Sequence, residues 1–289
     1  MTRTKKGNGE FRLMLFPQFF WLGIFFIIPL IIIIVYSFSI RKMYGGVELG
    51  FTLEHYKAVF DPLYMKIFLR SFVYAFVTTV ITLLLAYPIG FYMAFAKPAM
   101  KKIIMFLIIL PLWTNLLVEL YSLIILFGNS GLINSILMKL GFITEPIAML
   151  NNSFSVYVGL VYWNLPYMIL PIYASLDKMN ISLYEASMDL GGDRLQSFKN
   201  VLLPISMPGI IAGIVFCFIP TLGNFFVPDV LGGTDNYLIG NVITSQFLQA
   251  RNWSFGSALS SVLIFIIFIF VFLYIKYYNP AEENNAREI

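Results

Sequence analysis

Residues 13–40 read LMLFPQFFWLGIFFIIPLIIIIVYSFSI, 28 positions without an Asp, Glu, Lys, Arg or His. At 1.5 Å of rise per residue such a helix reaches roughly 40 Å, more than the hydrocarbon core of about 30 Å. Further apolar stretches follow at 71–96, 103–127, 154–176, 205–228 and 258–275, and of the six stretches only the third carries a formal charge, Glu119. The sequence predicts an all-α integral membrane protein of six transmembrane helices. Residues 1–12 and 279–289 are tails, 13–278 the membrane domain, and 177–204 a loop joining the fourth and fifth spans.

Composition agrees. Of 289 residues, 59% are hydrophobic and 12% charged, about half the charged fraction of a soluble domain. The gaps between apolar stretches leave no room for a separate soluble domain. The net charge of +4 is no sign of nucleic-acid binding, because no soluble basic surface exists to do it; an excess of Lys and Arg suits cytoplasmic loops. A single cysteine, Cys217, excludes an internal disulfide, and a single histidine, His55, excludes a multi-histidine metal site. His55 lies in a polar loop and reads as a solvated residue. The basic N-terminus followed by an apolar run resembles a signal peptide, but the run is too long and lacks a small-residue cleavage site, so it reads as a retained anchor.

An even number of spans puts both termini on one side. With the N-terminus inside, the inner segments hold twelve basic residues: Arg3, Lys5, Lys6, Arg12, Lys97, Lys101, Lys102, Lys178, Arg194, Lys199, Lys276 and Arg287. The outer segments hold seven: Arg41, Lys42, Lys57, Lys66, Arg70, Lys139 and Arg251. This balance favours a multi-pass protein of the cell membrane with both termini cytoplasmic. Six prolines, Pro29, Pro88, Pro111, Pro166, Pro171 and Pro220, fall inside spans. Each removes a donor and kinks its helix, which suits a moving transporter better than a rigid anchor.

The loop 177–204 is the most specific segment. Ser182-Leu183-Tyr184-Glu185 has capping-box spacing, and the short helix it starts stops at Gly191-Gly192. Asp193-Arg194-Leu195-Gln196 repeats the box and starts a second helix, expected to end before Pro204. Leu195, Phe198, Val201 and Leu202 follow helical spacing. Two readings stand: a surface hairpin packed on the bundle, and a docking knob for a partner.

Glu185-Ala186-Ser187, then Leu190-Gly191-Gly192, then Leu203-Pro204, resembles the Glu-Ala-Ala loop of permeases of the ABC-importer family. Ser187 and Gly192 depart from the usual alanines, but both are small. Asp61-Pro62-Leu63-Tyr64, the run from Pro111 to Asn115, the run from Met207 to Gly213, Gly232-Gly233, the run from Leu238 to Ile243, Trp253 and Phe255-Gly256 are similar to the B-type spermidine/putrescine permeases. The likeness runs from about Phe11 to Ile275. It implies a type I, MetI-like permease fold whose loop carries a coupling helix. It also implies a heterodimer with a C-type permease subunit, a dimer of ATPase subunits and an extracellular polyamine-binding protein. ATP and Mg would bind that ATPase; this chain has no Gly-x-x-x-x-Gly-Lys-Ser/Thr loop, and no cofactor or metal of its own is expected.

A polyamine is a flexible dication or trication, so its path calls for carboxylates, aromatic faces and apolar walls. Glu119 is the first candidate. Counted from Ile103 it lies roughly 24 Å along the third helix, and Pro111, Asn115, Glu119 and Ser122 would share one face. Glu119 serves either the pathway or a hydrogen bond to the partner permease. Trp113 stacks on an ammonium group or simply packs. Pro220, Asn224 and Pro228 would share a face leading to Asp229, which attracts cations or caps a loop. Trp163, Asn164 and Tyr167 form a further aromatic-polar set. An ion-coupled transporter should show intramembrane ionisable pairs or repeats, and an enzyme a nucleophile–base pair; neither is present. The expectation is therefore a non-enzymatic permease subunit of an ATP-driven polyamine importer, with a permease for another small solute as the alternative.

Overall fold

A computed structural model describes residues 7–42, 45–48 and 50–277. The basic tail residues Arg3, Lys5, Lys6 and Arg287 and the C-terminal tail 279–289 lie outside the described residues. The first apolar stretch is α1 (Gly7–Leu22), a π-helical turn (Gly23–Ile27) and α2 (Ile28–Ser37). A short hairpin follows, β1 (Ile40–Arg41) paired antiparallel to β2 (Val47–Glu48) in the register Ile40↔Glu48. Next come α3 (Glu54–Val59), α4 (Pro62–Phe95), α5 (Pro98–Ile109), a 3-10 turn (Leu110–Trp113), α6 (Leu116–Phe127), α7 (Leu132–Lys139) and α8 (Ser153–Leu176). α9 (Ile181–Asp189), α10 (Arg194–Ser197), a second π-helical turn (Phe198–Leu202) and α11 (Leu203–Leu222) carry the chain back across. α12 (Phe226–Leu231), α13 (Ile239–Leu248) and α14 (Trp253–Tyr277) complete it.

Among the described residues, six segments are long and apolar enough to cross a membrane: Leu15–Ser37, Pro62–Phe95, Leu116–Lys139, Ser153–Leu176, Arg194–Leu222 and Trp253–Lys276. Their number is the expected one, and two of their courses differ from expectation. The stretch 103–127 is two helices rather than one. Pro111 cannot donate to the preceding turn, Thr114 is extended, and the Asn115 side chain accepts from the Leu117 amide at 2.8 Å, capping α6. The stretch 205–228 is also divided, because α11 ends at Leu222 and Gly223 closes it.

Both π-helical turns lie directly before a proline. The Ile28 amide bonds to the Gly23 carbonyl ahead of Pro29, and the Leu203 amide to the Phe198 carbonyl ahead of Pro204. A proline ring clashes with the carbonyl four residues back, and one wider turn moves that carbonyl aside without breaking the helix.

The chain divides into two compact units. In the unit of residues 1–65 and 242–268, Tyr36 stacks on Trp253 with centroids 6.5 Å apart, and the Arg41 guanidinium donates to the Ala250 carbonyl. His55 is half-buried, with Nε2 3.0 Å from the Ser39 carbonyl, rather than solvated as its loop position suggested. The reason is local: α3 folds back on the end of α2, where the Ser37 and Tyr56 hydroxyls meet at 2.8 Å.

The unit of residues 66–241 and 269–289 is built on α8 against α11. Gly209 lets them touch, since a Cβ there would fall 2.3 Å from the Pro171 carbonyl oxygen. Around this contact Met93, Met168, Ile172, Leu202, Ile210 and Cys217 form a buried cluster. Asn164, fully buried, donates to the Leu160 carbonyl at 2.7 Å and the Thr221 hydroxyl at 3.0 Å, which removes it from the aromatic-polar set expected around Trp163. A second cluster of Tyr74, Leu120, Val156, Leu160, Val227, Leu231 and Leu238 joins α6, α8 and α12. Asn134 ties α7 down by bonding both the amide and the carbonyl of Ile147.

Candidate functional site

Two constellations carry the residues expected to act. The first is the hairpin of α9 and α10. Its first cap is Asn180, whose side chain accepts from the Ser182 amide at 3.1 Å, and not Ser182 itself. Asn180 precedes the helix in extended conformation and so reaches the free amides of the first turn. The second box is as expected: Asp193 accepts from the Gln196 amide at 2.7 Å, and the Gln196 side chain accepts from the Asp193 amide. The helix it starts does not stop before Pro204. It passes through the π-helical turn into α11, which makes Arg194 to Leu222 one continuous segment.

Between the limbs, Gly191 holds φ +89°, a conformation that costs other L-residues about 1–2 kcal/mol. Gly192 donates to the Ser187 carbonyl at 3.1 Å, and the Ser187 and Ser197 hydroxyls bond at 2.9 Å, so the limbs are tied together. One side of the hairpin packs on the bundle: Leu202 is buried, and Tyr184 and Phe198 lie against the core cluster, with Phe198 edge-on to Tyr87 at 5.5 Å. The other side is open. Leu190 is 90% exposed, and Leu183, Glu185, Ala186, Leu195 and Pro204 are exposed with it. One face thus packs on the bundle, as the surface-hairpin reading expects, and the other is exposed.

The second constellation is the break in the third stretch. A small cavity of about 70 Å³ is lined by Pro111, Leu112, Thr114 and Glu119 on one side and by Tyr162, Trp163 and Tyr167 on the other. The Thr114 hydroxyl donates to the Glu119 carboxylate, with the Pro111 carbonyl 2.7 Å away. Glu119 stands in the first turn of α6, where the helix dipole favours a negative charge. Trp163 and Tyr167 meet edge to face at 5.8 Å. A carboxylate facing aromatic rings is a chemistry that accepts an ammonium group.

The other expected pathway residues are placed elsewhere. Trp113 is 80% exposed and lines a different groove, with Lys101, Met105, Phe106 and Tyr173. Asn115 is committed to its cap, whereas Pro111 stays beside Glu119 in the lining of the cavity. Asn224 lies beyond the end of α11 and before the start of α12, where its side chain accepts from the Val227 amide at 3.0 Å. Asp229, in the first turn of α12, is exposed, and the expected face of Pro220, Asn224 and Pro228 is divided at Gly223. Tyr162 and Thr114, the latter donating to Glu119, are lining residues that the pathway expectation missed, and Tyr162 had a signal in the sequence. Its position beside Trp163 and one turn before Pro166 was the available signal.

Residues 86–281 match the family of binding-protein-dependent transport system inner membrane components. The chain belongs to that family. Over 258 residues the permease is 40% identical to the spermidine/putrescine transport system permease protein PotB of Haemophilus influenzae, covering 89% of this chain and 90% of that one. It is 39% identical over 254 residues to PotB of Escherichia coli, covering 88% and 92%. Among solved structures, a bacterial alginate ABC transporter in complex with alginate pentasaccharide-bound periplasmic protein has a chain of like fold, with TM-score 0.76 at 16% identity over 93% of both chains. The permease is thus a multi-pass inner-membrane component of a transport system that uses a binding protein, with the importer-permease fold expected from its loop.

At the N-terminal end of α5, Lys101 Nζ lies 2.6 Å from Asp177 Oδ1 and 5.4 Å from the centre of the Tyr173 ring. The Asp177 hydrogen bond raises the Lys101 pKa above its ordinary value.

Proposed function

We propose that this permease is one half of the membrane channel of an ATP-driven polyamine importer, taking up spermidine or putrescine. The observation that carries the substrate class is the Glu119 cavity: a carboxylate at membrane depth, opposite Tyr162, Trp163 and Tyr167. An ionised carboxylate facing lipid is costly, and it is kept where a cation or a partner neutralises it. The likeness to two spermidine/putrescine permeases over about nine-tenths of the chain supports the same reading. The extended backbone at Thr114, beside exposed Trp113 and Val118, requires cover from protein or water at membrane depth. A C-type permease subunit supplies it, and the polyamine passes between the two subunits.

The hairpin receives the work. Glu185, Ala186, Ser187, Leu190, Gly191 and Gly192 enter a cleft of an ATPase subunit, and Leu203 and Pro204 pass the motion to α11. ATP and Mg bind the ATPase, on the same cytoplasmic side as both termini. An extracellular polyamine-binding protein delivers substrate, and closure of the ATPase dimer turns the helices from outward to inward access.

The test is flux. The permease is reconstituted with the C-type subunit, the ATPase and the binding protein, and uptake of labelled spermidine and putrescine is measured with and without ATP. Uptake that needs both ATP and binding protein is the expected result. Polyamine crossing without the ATPase, or ATP-driven transport of a different solute only, overturns the proposal.

A further inference from the structure

The half-helix α5 is held in an unusual way. None of its residues is fully buried; it touches the core through Ile104, Met105 and Ile108, which are half-buried. Lys101 shares their face, by the spacing of three and four residues that brings side chains onto one side of a helix. Its ammonium sits where three attractions coincide: the Asp177 carboxylate at 2.6 Å, the Tyr173 ring at 5.4 Å, and the C-terminal end of α8, of which Asp177 is the cap. At its other end α5 runs into the 3-10 turn and the extended Thr114, and the next helix carries Glu119.

Asp177 also lies three residues ahead of Asn180, the cap of α9, with Lys178 and Met179 between them. The pair therefore joins the start of the hairpin to a half-helix whose far end borders the Glu119 cavity. We infer that Lys101 and Asp177 form a coupling latch: displacement of the hairpin is carried through this ion pair to α5, which swings about the Leu110–Asn115 joint and opens or closes the cavity. Lys101 is a positioning residue here; it touches no substrate. Both partners are partly exposed, so the latch is weak enough to be re-formed in each cycle. This inference rests on the coupling role proposed for the hairpin.

The test uses the whole complex in vesicles, with uptake of labelled spermidine and ATP hydrolysis measured together. Lys101→Met and Asp177→Asn should each leave hydrolysis within about twofold of the parent. Each should lower spermidine taken up per ATP about fivefold, equivalent to about 1 kcal/mol, the upper range for an exposed pair. The reversed pair, Lys101→Asp with Asp177→Lys, should recover most of the ratio. An unchanged ratio in both single variants overturns the latch, and so does a parallel loss of hydrolysis and uptake without recovery in the reversed pair. Gly191→Trp in the same vesicles separates the layers: if it uncouples while the Lys101 variants do not, the latch alone fails, and if it too is silent, the coupling role of the hairpin fails. A second measurement leaves the pair intact. Spin labels at Lys102→Cys and Asp189→Cys should keep their separation within a few Å between nucleotide-free and nucleotide-bound complexes; α5 staying behind while the hairpin moves overturns the latch.

Discussion

Gly191 and Gly192 are adjacent, yet substitutions at them should fail for different reasons. A Cβ at Gly191 meets nothing within 4 Å, so the whole cost of Gly191→Ala is its φ of +89°. That strain is about 1–2 kcal/mol. The outer side of the hairpin is open, so the unbound permease relieves the strain by rearranging the turn, and an ATPase that recognises the original turn must restore it. Affinity for the ATPase should then fall by up to about 5–30-fold. Asn tolerates the left-handed region better, so Gly191→Asn should lose less. At Gly192 the problem is space: a Cβ would lie 2.6 Å from the Ser187 carbonyl oxygen, the acceptor of its own amide. Gly192→Ala must open that bond and should be the worst of the three. Titration of purified ATPase onto the reconstituted permease pair gives the three dissociation constants. All three within twofold of the parent, or Gly191→Asn weaker than Gly191→Ala, would refute this account of the turn.

Two more outcomes are expected. Glu119→Gln removes the charge facing the aromatic walls of its cavity, so spermidine uptake should fall more than putrescine uptake; equal and unchanged uptake of both would take Glu119 off the pathway. Gly209→Val pushes a side chain into the Pro171 carbonyl, 2.3 Å from the Cβ position, and overpacking of this kind costs about 1–3 kcal/mol or more. The melting temperature of the purified permease in detergent should drop by several degrees, and a change of less than about one degree would contradict the close approach of α8 and α11.

The six crossings were legible because long apolar runs with at most one formal charge have few other uses, and the hairpin was legible because caps and glycines leave local signatures. The course of the third stretch was not. Pro111 read as a kink within one helix, yet Thr114 and Asn115 stop the first helix and cap a second. Two capping residue types three and four positions after a proline, deep in an apolar run, were the overlooked mark. The same competition misled the reading of Asn224: side chains that offer oxygen to nearby amides are taken up locally before they can line a pathway. Ser182 lost its capping role to Asn180 for a similar reason, an Asx oxygen two residues ahead. The proximity of Tyr162 to Trp163 and Pro166 hinted at its place, but which faces meet Tyr162 and the hairpin depends on tertiary contacts, and periodicity alone assigns no partner to a face.

The uninterrupted passage from Arg194 to Leu222 fixes the length of the segment. Each residue of a helix advances the next by about 100°, so deleting a single position near Lys199 would swing Thr221 round the axis and away from Asn164, its donor at 3.0 Å. The connection between the buried Asn164–Thr221 contact and the hairpin thus behaves as a keyed shaft, intolerant of gain or loss of even one amino acid, whereas the joint at Thr114 interrupts the third apolar stretch.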